Sequence, residues 1–267
     1  MAVEWKATCG TVNESVKCKR PDFDDVKRAY DTINMANPND MNLQETFRKA
    51  IIDNGVWRGI SSKVAEQKAQ EILIQIQNGD YNDKVWQRYA LVGGTPLSEY
   101  INYKNFFNIP YKRPYPNYSN TCALQVSYAL NYGKMPLYTL IKEREYNALY
   151  DTNREYLYIL GADYIGRFLN DKWGSPEISG TLNTNVDRQT MLIKLKGQKG
   201  IATMRGNHFV NNTLVGSFSH ATLWNLDEFV DVQNRTNINY LDDEMQRKLY
   251  HNTKFYLAQT FSFWELL

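Results

Sequence analysis

The run from Tyr118 to Gly133 constrains this chain more than any other stretch, because it reads as a helix that begins on a cysteine. Ser119, Asn120 and Thr121 are all competent N-caps, since their side chains accept hydrogen bonds from first-turn amides. Beyond them Ala123, Val126, Ala129 and Leu130 recur at helical spacing, and Gly133 suits the C′ stop. A thiol in the first turn, at Cys122, faces unpaired N–H groups and the positive end of the helix dipole. Both favour a thiolate, and so a nucleophile. The plainer alternative is a cysteine used as a small buried hydrophobe.

A cysteine nucleophile needs a base held on a rigid element. About a hundred residues on, Gly216 to Asn225 reads as a strand with Phe218, His220, Thr222 and Trp224 on one face. The chain has three histidines. His208 falls in a polar, asparagine-rich stretch expected to be a loop, and His251 follows a charged helix, so His220 is the candidate base. A third group should orient the imidazole. Phe229 to Val232 looks like a short strand returning beside the histidine strand, which brings Asp231 within reach and leaves Asp227 in the turn. Ser219 and Trp224, flanking the histidine, are candidate substrate-binding residues.

At 267 residues the chain can bury a substantial core, and its net charge of +2 gives no steer toward nucleic acid. Nineteen tyrosines and six tryptophans suit sugar or peptide surfaces, although packing absorbs most aromatics. Three cysteines make no disulfide framework, though Cys9 and Cys18 can pair in an oxidising compartment. Histidines and cysteines are too dispersed for a zinc site, and neither metal nor cofactor is expected. No basic-then-apolar leader opens the sequence and no apolar run is long enough to span a bilayer, so synthesis in the cytoplasm without Sec export and without membrane insertion is expected.

Taken in order, residues 1–20 read as polar and loose. Helices are expected from Pro21 to Asn34, from Asn42 to Asp53 with a stop at Asn54-Gly55, and after Ser61-Ser62. In the last of these Val64, Ala65, Ala69, Ile72, Leu73 and Ile76 form a stripe that reads as core. A further helix is expected from Asp83 to Leu91, and this helical block reads as an added lobe. Proline-rich residues 108–117 read as extended. Leu137 to Asp151 and Ala162 to Lys172 read as helices, and Met191 to Lys196, Gly200 to Met204, Phe218 to Trp224, Phe229 to Val232 and Lys254 to Phe261 as strands. Turns are expected at Lys196-Gly197 and Arg205-Gly206-Asn207. Helices first and a mostly antiparallel sheet after them make an α+β order.

Four blocks resemble the fourth family of type VI secretion amidase effectors, papain-like (NlpC-type) cysteine peptidases that cut peptidoglycan. They are Arg20-Pro21-Asp22-Phe23 with Ala29-Tyr30; Asn120 to Leu130; Tyr164 to Leu169 with Trp173-Gly174-Ser175-Pro176; and Lys199-Gly200-Ile201 leading to Ser219 to Asn225. The resemblance implies a papain-like fold with Cys122, His220 and Asp231 as nucleophile, base and orienting acid. It makes 1–34 and 108–267 the catalytic domain and 35–107 an inserted helical lobe. It also implies cleavage between D-glutamate and meso-diaminopimelate in the stem peptide, delivery by the type VI machinery into the periplasm of a target bacterium, and a cognate immunity protein. The Cys122 N–H is the expected oxyanion donor. The chain departs from the pattern at Gln125 (commonly arginine), at Ser219 (usually glycine) and in having no cysteine pair after the histidine strand. Another thiol peptidase or acyltransferase would use the same triad. A non-catalytic wall-binding protein would instead rely on the aromatic surface and leave Cys122 buried.

Overall fold

The computed structural model describes residues 3–9, 12–18, 20–81, 85–109, 118–233, 236–237, 239–242, 244–246 and 253–266. Most of the proline-rich segment expected to be extended, residues 110–117, lies outside them, as do His251 and the start expected for the fourth helix. In chain order the elements begin with β1 (Val3–Cys9), β2 (Val12–Cys18), α1 (Phe23–Asn34), α2 (Met41–Trp57), α3 (Ser62–Gln77), α4 (Trp86–Val92) and α5 (Gly94–Lys104). There follow α6 (Cys122–Tyr132), β3 (Ala148–Tyr150), β4 (Leu157–Ile159), α7 (Ala162–Trp173), β5 (Ile178–Thr181) and α8 (Asn185–Leu195). The remainder is strand: β6 (Gln198–Val210), β7 (Thr213–Leu226), β8 (Glu228–Phe229), β9 (Val232–Gln233), β10 (Thr236–Asn237) and β11 (Lys254–Glu265). Helices and an antiparallel sheet give the expected α+β class.

The chain forms two compact units, one of residues 1–27, 132–135 and 161–267 and the other of residues 28–131 and 136–160. The first is built on an antiparallel sheet of order β5-β11-β6-β7-β8. One face carries a core of Ala202, Met204, Trp224, Phe229, Phe261 and Phe263, closed by Met191 and Leu195 of α8. On the other face α7 approaches so closely that a Cβ at Gly166 would lie 3.1 Å from the Thr203 hydroxyl. Asp22 starts α1 by accepting hydrogen bonds from the Asp24 and Asp25 amides at 2.9 and 3.2 Å.

Residues 1–20 are not loose throughout, because β1 and β2 form an antiparallel hairpin. Its register pairs Cys9 with Val12 and Cys18 with Val3, at opposite ends. The two cysteine backbones are therefore about 20 Å apart, against a disulfide limit of about 7 Å. Residues 191–195 are the end of helix α8 and Lys196 its C-cap, so the segment is not a strand. A capping box, Asp187 N–H to Thr184 Oγ1 at 3.1 Å and Thr184 N–H to Asp187 Oδ2 at 2.8 Å, starts α8 and turns Arg188, Met191 and Leu195 inward. The turn at Gly197 is present (φ 80°), but Arg205-Gly206-Asn207 runs through the middle of β6. The chain instead reverses at Asn211-Asn212, both left-handed at φ 49° and 62°, as a two-residue hairpin turn between paired Val210 and Thr213 requires.

Gly206 serves approach, not reversal. A Cβ there would lie 2.0 Å from the Leu257 carbonyl oxygen and 2.7 Å from the Phe218 ring. Gly206→Ala is expected to destabilise the protein by about 1–3 kcal/mol through overpacking, read as a lower denaturant midpoint at unchanged slope.

Arg20 is buried, 2% exposed, and anchors the same unit. It donates to the Glu265 carbonyl at 2.9 Å and the Trp173 carbonyl at 3.3 Å, lies over the Trp173 ring, and pairs with Glu177 at 2.8 Å. Burial alone would raise the Glu177 carboxyl, but the bonds from Arg20 and the Glu265 N–H outweigh it and hold it below its ordinary 4.5. A folded value below the unfolded one gives stability that is present above pH 4.5 and lost as pH falls through the folded value. Wild-type Tm is therefore expected to fall as pH drops below 4.5 toward the lowered folded value, and Glu177→Gln to flatten that fall. Parallel Tm curves would refute the linkage.

The second unit holds the expected helical block. Asp40 caps α2 through the Asn42 amide at 2.8 Å. The helix does not stop at Asn54-Gly55, because both are buried packing positions. Asn54 donates to Asn102 at 2.7 Å, and a Cβ at Gly55 would lie 2.6 Å from the Phe107 ring. On α3, Ala65, Ala69, Ile72, Leu73 and Ile76 are buried as expected, while Val64 faces solvent. The unforeseen α5 turns Leu97, Tyr100 and Ile101 inward. Leu137 to Asp151 is not a helix. It consists of two short 3-10 turns and β3, interrupted by left-handed Arg144, Tyr146 and Asn147.

Candidate active site

Cys122 is the first residue of α6, and every residue from Cys122 to Asn131 is buried. The hydroxyl of Ser127 donates to the Ile159 carbonyl at 3.1 Å and accepts from the Ile159 amide at 2.9 Å. Asn131 donates to the Leu157 carbonyl and accepts from the Leu137 amide, both at 2.8 Å. These contacts tie α6 along its length to β4. The approach to the helix is held by tyrosines. The Tyr89 hydroxyl donates to the Tyr118 carbonyl at 2.9 Å, Tyr89 stacks on Tyr100 at 4.6 Å, and Tyr103 lies 3.2 Å from the Ser119 hydroxyl. These tyrosines of the abundant set are therefore packing residues.

Of the three expected caps, Thr121 supplies the carbonyl that accepts the Gln125 amide at 2.9 Å. Asn120 Oδ1 accepts the Cys122 amide at 3.2 Å. The N–H expected to serve as oxyanion donor thus already has an acceptor.

His220 lies in β7, opposite Met204 of β6. The chain reverses at left-handed Leu226 (φ 64°) and Asp227, and β8 pairs Phe229 with Trp224. A bond from the Val230 amide to the Leu223 carbonyl at 3.0 Å extends the return. Asp231 arrives beside the ring, its Oδ2 2.6 Å from His220 Nε2, each side chain 13% exposed. Tyr240 packs on the imidazole at 4.7 Å between ring centroids. The expected histidine–carboxylate pair therefore exists, on one unit, while Cys122 is carried by the other.

Ser219 sits in β7 opposite Arg205, whose guanidinium pairs with Asp163 at 2.8 Å. Trp224 does not fit a substrate-binding role. It is 1% exposed, packs against Phe229 and donates its indole N–H to the Leu195 carbonyl at 2.9 Å. His208 lies within β6, not in a loop, and stacks on Tyr256 at 4.6 Å. Burial first, and the charge of Lys254 second, push it below the ordinary 6.5. Among the described residues no group of three or more His, Cys, Asp or Glu is placed to hold a metal, and no helix is long and apolar enough to cross a membrane.

Residues 118–263 match the family described as type VI secretion system (T6SS), amidase effector protein 4. Among curated proteins none matches the chain in sequence. Similar solved structures include the type VI effector–immunity complex Tae4–Tai4 from Enterobacter cloacae, at 16% identity and TM-score 0.49 over 93% of this chain and 99% of that one. The Tae4–Tai4 complex from Salmonella Typhimurium is similar at 15% identity and TM-score 0.49, over 93% of this chain and 100% of that one. The effector Tae4 from Enterobacter cloacae is similar at 19% identity and TM-score 0.43, over 72% and 91% of the two chains.

Proposed function

The chain belongs to the type VI secretion amidase effector 4 family, and on that premise we propose that it is a papain-like peptidoglycan endopeptidase. Its substrate is the stem peptide, cut between D-glutamate and meso-diaminopimelate by Cys122, His220 and Asp231. The observation that carries this reading is the 2.6 Å contact between His220 Nε2 and Asp231, in a chain whose family match also takes in the helix that starts on Cys122.

In this mechanism the Cys122 thiolate attacks the peptide carbonyl, forming a C–S bond while the C=O pair moves to oxygen. The oxyanion takes the place of Asn120 Oδ1 on the Cys122 N–H. Collapse of the tetrahedral intermediate breaks the C–N bond and leaves a thioester; with Nε2 held by Asp231, Nδ1 of the charged ring gives its proton to the leaving amine. The now neutral Nδ1 then takes a proton from one water whose oxygen attacks the thioester carbon, and collapse of that intermediate breaks the C–S bond, releasing the acid and restoring the thiolate. Asp231 fixes the tautomer and stabilises the charged ring without being protonated itself. Ser219 is proposed to contact substrate beside the base. Residues 35–107 are proposed as an inserted lobe on a catalytic domain of 1–34 and 108–267.

The same reading makes the protein a toxin delivered by the type VI machinery to the periplasm of a rival bacterium. A cognate immunity protein protects the producer, as the pairing of effector with immunity protein in the similar complexes supports. Mass analysis of purified sacculi digested by the protein tests the chemistry. Muropeptides ending in D-glutamate, with new diaminopimelate amines, are expected. Cleavage at another amide, or acyl transfer without hydrolysis, would reassign the substrate.

A further inference from the structure

The first turn of α6 is tied to a cation from a helix more than thirty residues away. Arg88, in α4, donates from Nη1 to the Thr121 hydroxyl at 2.6 Å and from Nη2 to Asn34 Oδ1 at 3.2 Å. The Gln125 carboxamide joins the same cluster in either of two orientations: with Nε2 inward it donates to Asn34 Oδ1, and turned over it places its oxygen to accept from the same two Arg88 nitrogens at 3.2 and 3.3 Å. Thr121 and Gln125 are 3% and 5% exposed. One immediately precedes Cys122 and the other follows it by about a turn, so the guanidinium grips the helix on both sides of the thiol. Flanking Arg88 on α4, Trp86 and Tyr89 are buried and fix its origin.

We propose, resting on the reading of Cys122 as nucleophile, that Arg88 is a positioning residue for it. The guanidinium locks the first turn of α6 and keeps a permanent positive charge beside the thiol. Arginine suits both tasks, because its planar fork engages several acceptors at once and it does not deprotonate in proteins. The cost of placing a half-buried cation there is offset by its hydrogen bonds to Thr121 and Asn34, and the charge is useful to a group that must carry negative charge to react.

The test uses alkylation of Cys122 at pH 7 and low salt, followed by mass spectrometry of the Cys122 peptide, with neutral iodoacetamide and anionic iodoacetate. A fixed cation near the thiol draws the anionic reagent. Arg88→Met is expected to lower the iodoacetate-to-iodoacetamide rate ratio about tenfold, and Arg88→Lys to restore most of it, in variants whose Tm confirms folding. Arg88→Gln, neutral but still a donor, carries the same test if Arg88→Met does not fold. An unchanged ratio in the neutral variant overturns the assignment, since a purely structural role moves both reagents alike. A wild-type Cys122 that reacts no faster than glutathione with either reagent defeats the nucleophile reading instead.

Discussion

Cys122→Ala is expected to abolish release of new amines from sacculi, a loss of about 1,000-fold or more, since removing a covalent nucleophile leaves only binding and oxyanion stabilisation. The control for folding is favourable. Cys122 is 4% exposed and its substitution deletes one sulfur, costing on the order of 1 kcal/mol. The variant should therefore keep a cooperative thermal transition within a few degrees of wild type. It should also still bind the wall, because the substitution touches chemistry more than recognition. Sacculi that release amines at near wild-type rate with the variant would remove the covalent mechanism at once, whatever the family.

Asp231→Asn carries the second large effect. A carboxylate 2.6 Å from Nε2 accepts from one defined ring tautomer and stabilises the ring when it is charged. A carboxamide of the same shape can turn its NH2 toward the ring and select the other tautomer. In comparable triads that exchange costs about 10,000-fold in kcat. Here the drop should fall on kcat with KM little changed, because in the proposed mechanism Asp231 holds the base and not the substrate. Both partners are only 13% exposed, so Asp231→Ala should also weaken the return turn and lower Tm. Activity of Asp231→Asn within about threefold of wild type would take Asp231 out of the mechanism.

The helix that starts on Cys122, the strand of His220 and the return to Asp231 were legible in the sequence because each is short-range. Helical or alternate spacing, a polar cap and a turn lie within a dozen residues. Errors came where one local signal outweighed another. Met191 to Lys196 alone looks like a strand, but the Thr184-to-Asp187 box ahead of it starts a helix. Gly206 looked like a turn residue because nothing local reveals the backbone of β11 pressing on it. The hairpin signal was Asn211-Asn212, five residues later. Trp224 shares a strand face with His220, yet packing of α8 decides which part of that face is core. Arg88 had no signal at all. Its meaning lies in Thr121, 33 residues away.

The polar bolts between α6 and β4 set an order for assembly. Ser127 finds its partner 32 residues later and Asn131 finds its own 26 residues later. During synthesis, at about 5–20 residues per second, the Ser127 hydroxyl and the Asn131 NH2 lack these partners until Leu157 and Ile159 emerge, although Asn131 Oδ1 can already accept from Leu137. Until then, seating the cysteine-bearing segment would leave a hydroxyl and an amide NH2 without these bonds, at about 1–3 kcal/mol each. The nascent enzyme thus completes the support for its sulfur late.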